Sequence, residues 1–372
     1  MSADPAPGRD WRSELAPIAA EFPLPGALLS AGPHGSGHIN ETYVLASTGP
    51  DGGVRRHVLQ KINHHIFRNV PALMENIQRV CTHLAARSPR ALRLVPDRRG
   101  RSCVQDAAGG WWRLYDFIEG ARTLDQVSNE AQAREAARAF GEFQAHLADL
   151  PGPRLHETIP HFHDTRRRFE ALRAAVAADV RGRAAEVRAE IAFAFAREAD
   201  TDVLLGLAAR GEVRERITHN DTKINNVMLD DASGRGVAVI DLDTVMPGLA
   251  LYDFGEMVRT SASTTVEDDP DPSRMGLSLP LFRALVAGYL ETAVGVLNAV
   301  ERAHLGFAGK MMTYENGIRF LTDYLQGDTY YRIRHPRHNV DRCRAQFALV
   351  QAIERNLEAM SRVVAEVHGS SS

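Results

Sequence analysis

Residues 218–248 read THNDTKINNVMLDDASGRGVAVIDLDTVMPG, a polar run and a short apolar run on either side of a hairpin. Val237–Ile240 has the character of a buried strand that delivers Asp241 at its end, 20 positions beyond Asp221. The polar run places His219, Asp221 and Asn226 in the pattern His-x-Asp-x-x-x-x-Asn. One loop with that spacing can do two jobs: a carboxylate accepts a proton from a hydroxyl, and an amide oxygen serves a hard cation. The plainer alternative is a polar turn followed by a strand end, since Asn, Asp and Thr abound in turns. Finding both pieces in this order across one hairpin favours the chemical reading.

A chain of 372 residues is expected to form two domains sharing a cleft. Hydrophobic residues at 44% and charged residues at 24% are ordinary for a packed enzyme and exclude extended disorder. A net charge of -3 argues against nucleic acid or an anionic membrane as principal partner. Three cysteines, Cys81, Cys103 and Cys343, without a CxxC pair support neither a disulfide framework nor a zinc knuckle, so a reducing cytoplasm is the expected location. The first 22 residues lack the basic and apolar regions of a secretory signal and read as a flexible leader entering a helix. Leu281–Val300 is interrupted by Arg283 and Glu291, which makes it an amphipathic helix and not a membrane span.

Short apolar runs at 27–31 and 42–46 flank the Gly-rich GPHGSGHIN, and a third strand is expected at 56–62. Val70, Leu73, Ile77, Val80 and Leu84 recur at helical spacing and predict a helix over 70–86. Strand-like segments follow near 92–95 and 111–118. From Ser128 the composition is rich in Ala, Arg, Glu and Leu with helical periodicity, broken at 151–153, 217–243 and 268–273. The expected fold is therefore α+β and bilobal. An N-terminal sheet lobe covers 1–118, and a larger, mainly helical lobe covers 119–372 and carries the polar loop.

The His-x-Asp-x-x-x-x-Asn spacing is that of a kinase catalytic loop, and Asp241 then stands where kinases hold magnesium against ATP, with Asp-Leu-Asp replacing Asp-Phe-Gly. Other kinase parts can be sought around it. Gly35-Ser-Gly37-His-Ile-Asn40 resembles the phosphate-covering loop, with Asn in place of the third Gly. A Walker A reading fails, because His38 and Ile39 stand where Lys and Ser or Thr are required. On the third strand Gln60 and Lys61 compete for the phosphate-gripping position, since strand alternation lets only one face the cleft. Glu75, on the following helix, is either that lysine's partner or a solvated charge. The strand Tyr115–Gly120, with Phe117 and Glu119, matches a hinge whose backbone would bind adenine. His64-His65 and His161-Phe-His163 lack Cys partners or an HExxH arrangement and read as ordinary histidines.

Several segments together resemble the aminoglycoside phosphotransferase and choline kinase superfamily, and within it the N-acetylhexosamine 1-kinases. They include GSGHINETYVL (35–45), VLQKIN (58–63), WRLYDFIEG (112–120), HFHDTRRRFE (161–170), HNDTKINN (219–226), VIDLDTVMPG (239–248), YDFGEMVR (252–259) and GIRFLTDYLQGDTYY (317–331). This resemblance implies a bilobal kinase fold with ATP between the lobes, Asp221 as catalytic base, and Asn226 and Asp241 as magnesium ligands. It also implies transfer of the γ-phosphoryl group to the anomeric hydroxyl of an N-acetylhexosamine, a step of carbohydrate metabolism, with His38, Arg319 and Tyr330 as sugar contacts. The relatives are often rich in Gln on the third strand, which would turn Gln60 inward and Lys61 outward.

Plainer roles stand beside these. Arg319 could pair with Asp323 at i+4, and Tyr330 could be a core aromatic. An aminoglycoside or amino alcohol acceptor would call for clustered carboxylates in the late helices. The EDDPD run (267–271) reads instead as a solvated loop, while Arg319, Arg332, Arg334, Arg337, Arg342 and Arg344 favour a neutral or phosphate-bearing ligand. A two-metal hydrolase and a catalytically silent nucleotide-binding module are the competing classes, and retention of Asp221, Asn226 and Asp241 together speaks against the silent module.

Overall fold

A computed structural model describes residues 9–35 and 39–370. The chain divides into two compact units. The first comprises the chain up to Ala121 together with Leu150–Ile159 and Ile240–Val245, and the second holds Arg122–Asp149, Pro160–Val239 and the chain from Met246 onward.

In the first unit, β1 (Leu28–Pro33), β2 (Glu41–Thr48), β3 (Val54–Ile62), β4 (Leu94–Val95), β5 (Val104–Gln105) and β6 (Trp111–Asp116) form one antiparallel sheet. Its order is β1-β2-β3-β6-β4, with β5 also on β6. β2 buries Tyr43, Leu45 and Ser47 in alternation, the signature of a strand with one face on a core. The two-residue β5 is too short to show any period and was not legible in sequence.

The helix that the leader was expected to enter begins at Trp11. Trp11–Ala19 form α1, capped by Asp10, whose carboxylate accepts from the Ser13 amide. Leu15, Ile18 and Ala19 recur at helical spacing and share a core cluster with Tyr43, Leu45, Leu59 and Leu114 of the sheet. Helix α2 (Val70–Ala85) starts at an Asn69 cap with Pro71 in its first turn. From its buried face Asn76 donates to the carbonyls of His156 (2.8 Å) and Val245 (3.2 Å) and accepts from the His156 amide (3.0 Å). One side chain thus anchors both of the later segments that belong to this unit.

A two-residue strand β7 (Ala121–Arg122) lies where the first unit ends. The second unit is mainly helical: α3 (Glu130–Leu147), α4 (Thr165–Ala178), α5 (Arg188–Phe195), α6 (Val203–Ala209), α7 (Ala250–Ser261), α8 (Leu279–Ala293), α9 (Ala299–Ala303), α10 (Leu305–Gln326) and α11 (His338–Ser370). Strand β8 (Glu215–Thr218) pairs with β11 (Met246–Leu249), and β9 (Val227–Asp230) pairs with β10 (Gly236–Val239), all antiparallel. Helices α3 and α8 approach backbone to backbone. A Cβ on Gly288 would fall 2.0 Å from the Arg134 carbonyl oxygen and one on Gly141 2.8 Å from that of Tyr289, so larger residues cannot stand there. Helix α8 stops at Ala293, short of the expected Val300, and α9 begins afresh from a capping box between Asn298 and Glu301. Among the described residues no helix is long and apolar enough to cross a membrane.

Candidate functional site

The polar loop of the second unit leaves β8 at Thr218 and is held from beneath by residues distant in sequence. Asp253 on α7, fully buried, accepts from the amides of His219 (2.9 Å) and Asn220 (2.7 Å) and from the Gln144 side chain (2.6 Å). The Thr222 hydroxyl donates to the Asp253 carbonyl (2.5 Å). Asn220 has a φ of 63°, a left-handed conformation that Asn tolerates better than most residues. Its carbonyl faces His163 Nε2 at 3.2 Å, while His163 Nδ1 bonds Glu315 at 2.8 Å. His219 itself is buried edge-on to Phe140 and Phe143, and its Nδ1 accepts from the Asp221 amide at 3.3 Å. Asp253, His163 and Glu315 were not singled out in sequence as supports of the loop; YDFGEMVR and HFHD were visible as segments, but nothing local names the atoms they hold.

Within the loop, Lys223 Nζ lies 3.0 Å from Asp221 Oδ1, and Asn226 Nδ2 donates to the Asp221 carbonyl (2.8 Å) and to Oδ2 (3.2 Å). Asn226 therefore spends its amide hydrogens on Asp221, and its Oδ1 is the atom left to serve a hard cation. Burial works to raise the Asp221 carboxyl, but Lys223 and then His219 outweigh it and hold the group below the ordinary aspartate value. A depressed carboxyl stays charged as pH falls until its own lowered value is reached. Any acid limb of kcat/KM that belongs to Asp221 should thus lie below the ordinary range. Lys223→Met leaves burial dominant and should move that limb toward neutrality; a profile of kcat/KM against pH that does not move would separate Lys223 from the charge of Asp221.

The first unit holds a second polar network, centred on Asp243 of the Asp-Leu-Asp segment. Arg113 on β6, only 1% exposed, donates to both oxygens of Asp243, with Nη2 at 3.0 Å from Oδ2. Asn40 Nδ2 donates to the same Oδ2 (2.5 Å), and Asn40 Oδ1 accepts from the Asn63 amide (2.9 Å). Gln60 accepts from Arg113 Nε (3.0 Å) and donates to Thr42 (3.0 Å). Burial opposes the Arg113 charge, yet Asp243 outweighs it and lifts the guanidinium above its ordinary value. Gln60 thus belongs to this network. Lys61 lies 3.9 Å from Glu41 and over the Trp112 ring, as alternation on β3 requires. Arg113 is the cation that sequence reasoning missed; the available signal was a charge inside the apolar strand WWRLY. Asp241 is exposed and has a φ of 59°, a left-handed backbone at the start of the turn that carries Asp243.

Other expected positions in the first unit are less engaged with this network. Gly35 has a φ of 76° in an open turn, and Gly37 and His38 lie outside the described residues. Phe117 carries the Arg56 guanidinium over its ring at 3.9 Å, and Glu119 pairs with Arg56. The Glu119 carbonyl accepts from Arg90 (2.9 Å) and the Phe117 amide donates to the Arg56 carbonyl (3.3 Å). Glu75 is partner to His156 (2.8 Å), neither to a strand lysine nor to water alone.

At the end of α10, Asp323 accepts from the amides of Thr329, Tyr330 and Tyr331 and from Asn339 Nδ2, all at 2.8–3.0 Å. It organises the turn after Gly327 and does not pair with Arg319. Arg319 instead lies 5.5 Å from the Phe162 ring centre and 5.7 Å from that of Tyr331. Tyr330 is 63% exposed, so it is not the core aromatic considered above. The acidic run 267–271 is not simply solvated: Glu267 pairs with Arg259, Asp268 with Arg334 (3.0 Å) and Asp269 with Arg274 (3.1 Å). Arg337 and Arg344 are likewise neutralised by Glu186 and Glu190, so three of the six late arginines contribute no free positive field. Among the described residues no cluster of three His, Cys, Asp or Glu side chains could hold a metal alone. Magnesium bound chiefly through phosphates needs few protein oxygen ligands; Asn226 in the second unit and Asp241 in the first each carry an oxygen donor of the right hardness.

An antiparallel N-terminal sheet followed by a helical part, with a His-x-Asp-x-x-x-x-Asn loop, defines a phosphotransferase of kinase-like fold. The chain belongs to the phosphotransferase enzyme family, whose pattern it matches over residues 30–289. Solved structures agree on the fold. The chain is similar to an amicoumacin kinase in complex with AMP-PNP, Ca2+ and Ami, at 14% identity and a TM-score of 0.54 with 94% of each chain covered. It is similar to a spectinomycin phosphotransferase in complex with ADP and spectinomycin, at 13% identity and a TM-score of 0.55, covering 93% of this chain and 98% of that one. A choline kinase from Cryptosporidium parvum matches at 13% identity and a TM-score of 0.53, covering 95% and 98%.

Proposed function

We propose that the protein is an ATP- and magnesium-dependent kinase that transfers the γ-phosphoryl group to the anomeric hydroxyl of a free N-acetylhexosamine, N-acetylglucosamine or N-acetylgalactosamine, giving the sugar 1-phosphate. The observation that carries the reading is the Asp221 carboxylate, held by Asn226 and kept charged by Lys223 within the loop of a phosphotransferase family. Asp221 accepts the proton of the attacking hydroxyl. A hemiacetal hydroxyl is more acidic than an ordinary alcohol, so a carboxylate base suffices for it. Asn226 Oδ1 and Asp241 are the metal ligands, and magnesium, when bound, offsets the charge of the phosphates. ATP is assigned to Gly35, Gly37, Gln60, Lys61 and the 117–119 backbone, and the sugar to His38, Arg319 and Tyr330. Arg319 supports the sugar assignment because it makes no ion pair among the described residues and stands beside the Phe162 and Tyr331 rings. A reducing, cytoplasmic setting accords with three free cysteines.

Phosphorylation of an aminoglycoside or an amino alcohol is the second reading, favoured by the spectinomycin and choline kinases among the structural relatives. ADP release with a panel of free sugars, choline and aminoglycosides separates the two. Blocking the anomeric oxygen tests the position of transfer: methyl N-acetylglucosaminide should support less than about 1% of the turnover of the free sugar, since the nucleophile itself is gone. Equal rates on the two compounds would exclude transfer to that oxygen.

A further inference from the structure

Two guanidinium groups of the second unit meet on one phenylalanine. Arg168 on α4 donates from Nη2 to the Phe162 carbonyl (2.9 Å), and Arg319 on α10 stands over the Phe162 ring. The carboxylate on the same face of α10, one turn before Arg319, is Glu315. Both of its oxygens are committed, one to His163 Nδ1 (2.8 Å) and the other to the Thr165 hydroxyl (2.5 Å). Neither arginine has an ion-pair partner among the described residues. Arg168 Nε and the Tyr331 hydroxyl are buried with no hydrogen-bond partner among the described residues, and the Tyr331 ring is the second aromatic face against Arg319. Burial, and after it the charge of Arg319, holds the Arg168 guanidinium below its ordinary value.

Like charges packed together beside unsatisfied buried donors are a poor way to stabilise a fold and an apt way to receive lone pairs. We propose that Arg168, Arg319 and the Tyr331 hydroxyl form an acceptor seat that takes an oxygen-rich compound without positive charge and rejects a cationic one. The inference adds Arg168 and Tyr331 to the substrate machinery and rests on the reading of the chain as a kinase for a hydroxyl acceptor. An ammonium group brought to the seat meets two guanidiniums that make no ion pair, whose joint charge the single buried Glu315 carboxylate offsets only in part, whereas hydroxyl and acyl oxygens complete the orphaned donors.

N-acetylglucosamine and glucosamine test the seat, because they differ in one group that is a neutral amide in the first and an ammonium in the second. By kcat/KM from ADP release, the wild type should prefer the acetylated sugar by on the order of 100-fold. Arg168→Gln should shrink that ratio by about 10-fold, chiefly through a higher KM for N-acetylglucosamine, with the KM for ATP unchanged. The same variant should keep or raise Tm, since it removes one of two mutually repelling charges; Arg168→Lys, which keeps the charge, should retain the preference. Equal use of the two sugars by the wild type overturns the seat. So does an Arg168→Gln protein with lowered Tm and an unchanged ratio, which would make Arg168 a structural residue. If neither sugar is a substrate, turnover of an uncharged polyol sinks the hexosamine reading and leaves the seat standing. Turnover of choline or an aminoglycoside alone, or of nothing in the panel, overturns the seat.

Discussion

Asp221→Ala is expected to lower kcat by about 1,000-fold or more while leaving ATP affinity within about threefold of wild type. A positioned general base contributes about 100- to 10,000-fold to a transfer of this kind, and in the role proposed for it Asp221 would also orient the hydroxyl it deprotonates. The upper part of that range is chosen because the carboxylate is preorganised. Asn226 donates to it, Lys223 lies 3.0 Å from it, and the loop beneath is pinned by Asp253 through two amides. Removing the carboxylate takes away none of the groups assigned to the nucleotide. Single-turnover kinetics with labelled ATP and equilibrium binding of an ATP analogue check the two halves of the prediction separately. Near-normal turnover would remove Asp221 from the mechanism. A collapse of ATP affinity of equal size would move its role from the acceptor to the nucleotide.

Arg113→Met is expected to destabilise the protein by about 3–5 kcal/mol, read as a lower urea midpoint with an unchanged m-value. The pair is fully buried, with Arg113 at 1% and Asp243 at 2% exposure, and the arginine supplies two of the hydrogen bonds that Asp243 accepts. Truncating the cation leaves a carboxylate with Asn40 as its remaining side-chain donor and strips Gln60 of one partner. The penalty is that of an uncompensated buried charge and not the net worth of the pair. A second substitution that removes the stranded charge, Asp243→Leu in the Arg113→Met background, should recover much of the loss. A single-variant loss below about 1 kcal/mol would mean that water reaches Asp243 and that the network is not closed. Because Asp243 shares its turn with Asp241, the single variant should also raise the KM for ATP if Asp241 is a metal ligand.

Much of the local structure was legible. GPHGSGHIN between two apolar runs announced the pairing of β1 with β2, and the three-and-four spacing from Val70 announced α2. Each of these signals rests on residues a few positions apart, where backbone sterics and the period of side-chain burial act directly. The partners of polar groups were not legible. Arg113 meets Asp243 across 130 positions, and His163 meets Glu315 across 152. A sequence shows that these residues are polar and says nothing of which polar group satisfies which. The late arginines make the same point: as a composition they suggested a positive surface, yet Arg334, Arg337 and Arg344 are each neutralised by an acid far away in the chain.

The chemistry proposed for the loop rests on a carboxylate and an amide oxygen five positions apart followed by a strand-end aspartate, a pattern of residue types and spacing that needs no folding to read. Tertiary packing alone chose Gln60 over Lys61 for the Asp243 network, enlisted Arg113, and set Asp253 and His163 under the loop. It also left Arg168 and Arg319 without an ion-pair partner among the described residues, on a carbonyl and a ring respectively. The division follows from range. Turn chemistry and periodicity act over one or two turns of chain, whereas burying a charge or orphaning a donor depends on what the fold brings from a hundred residues away.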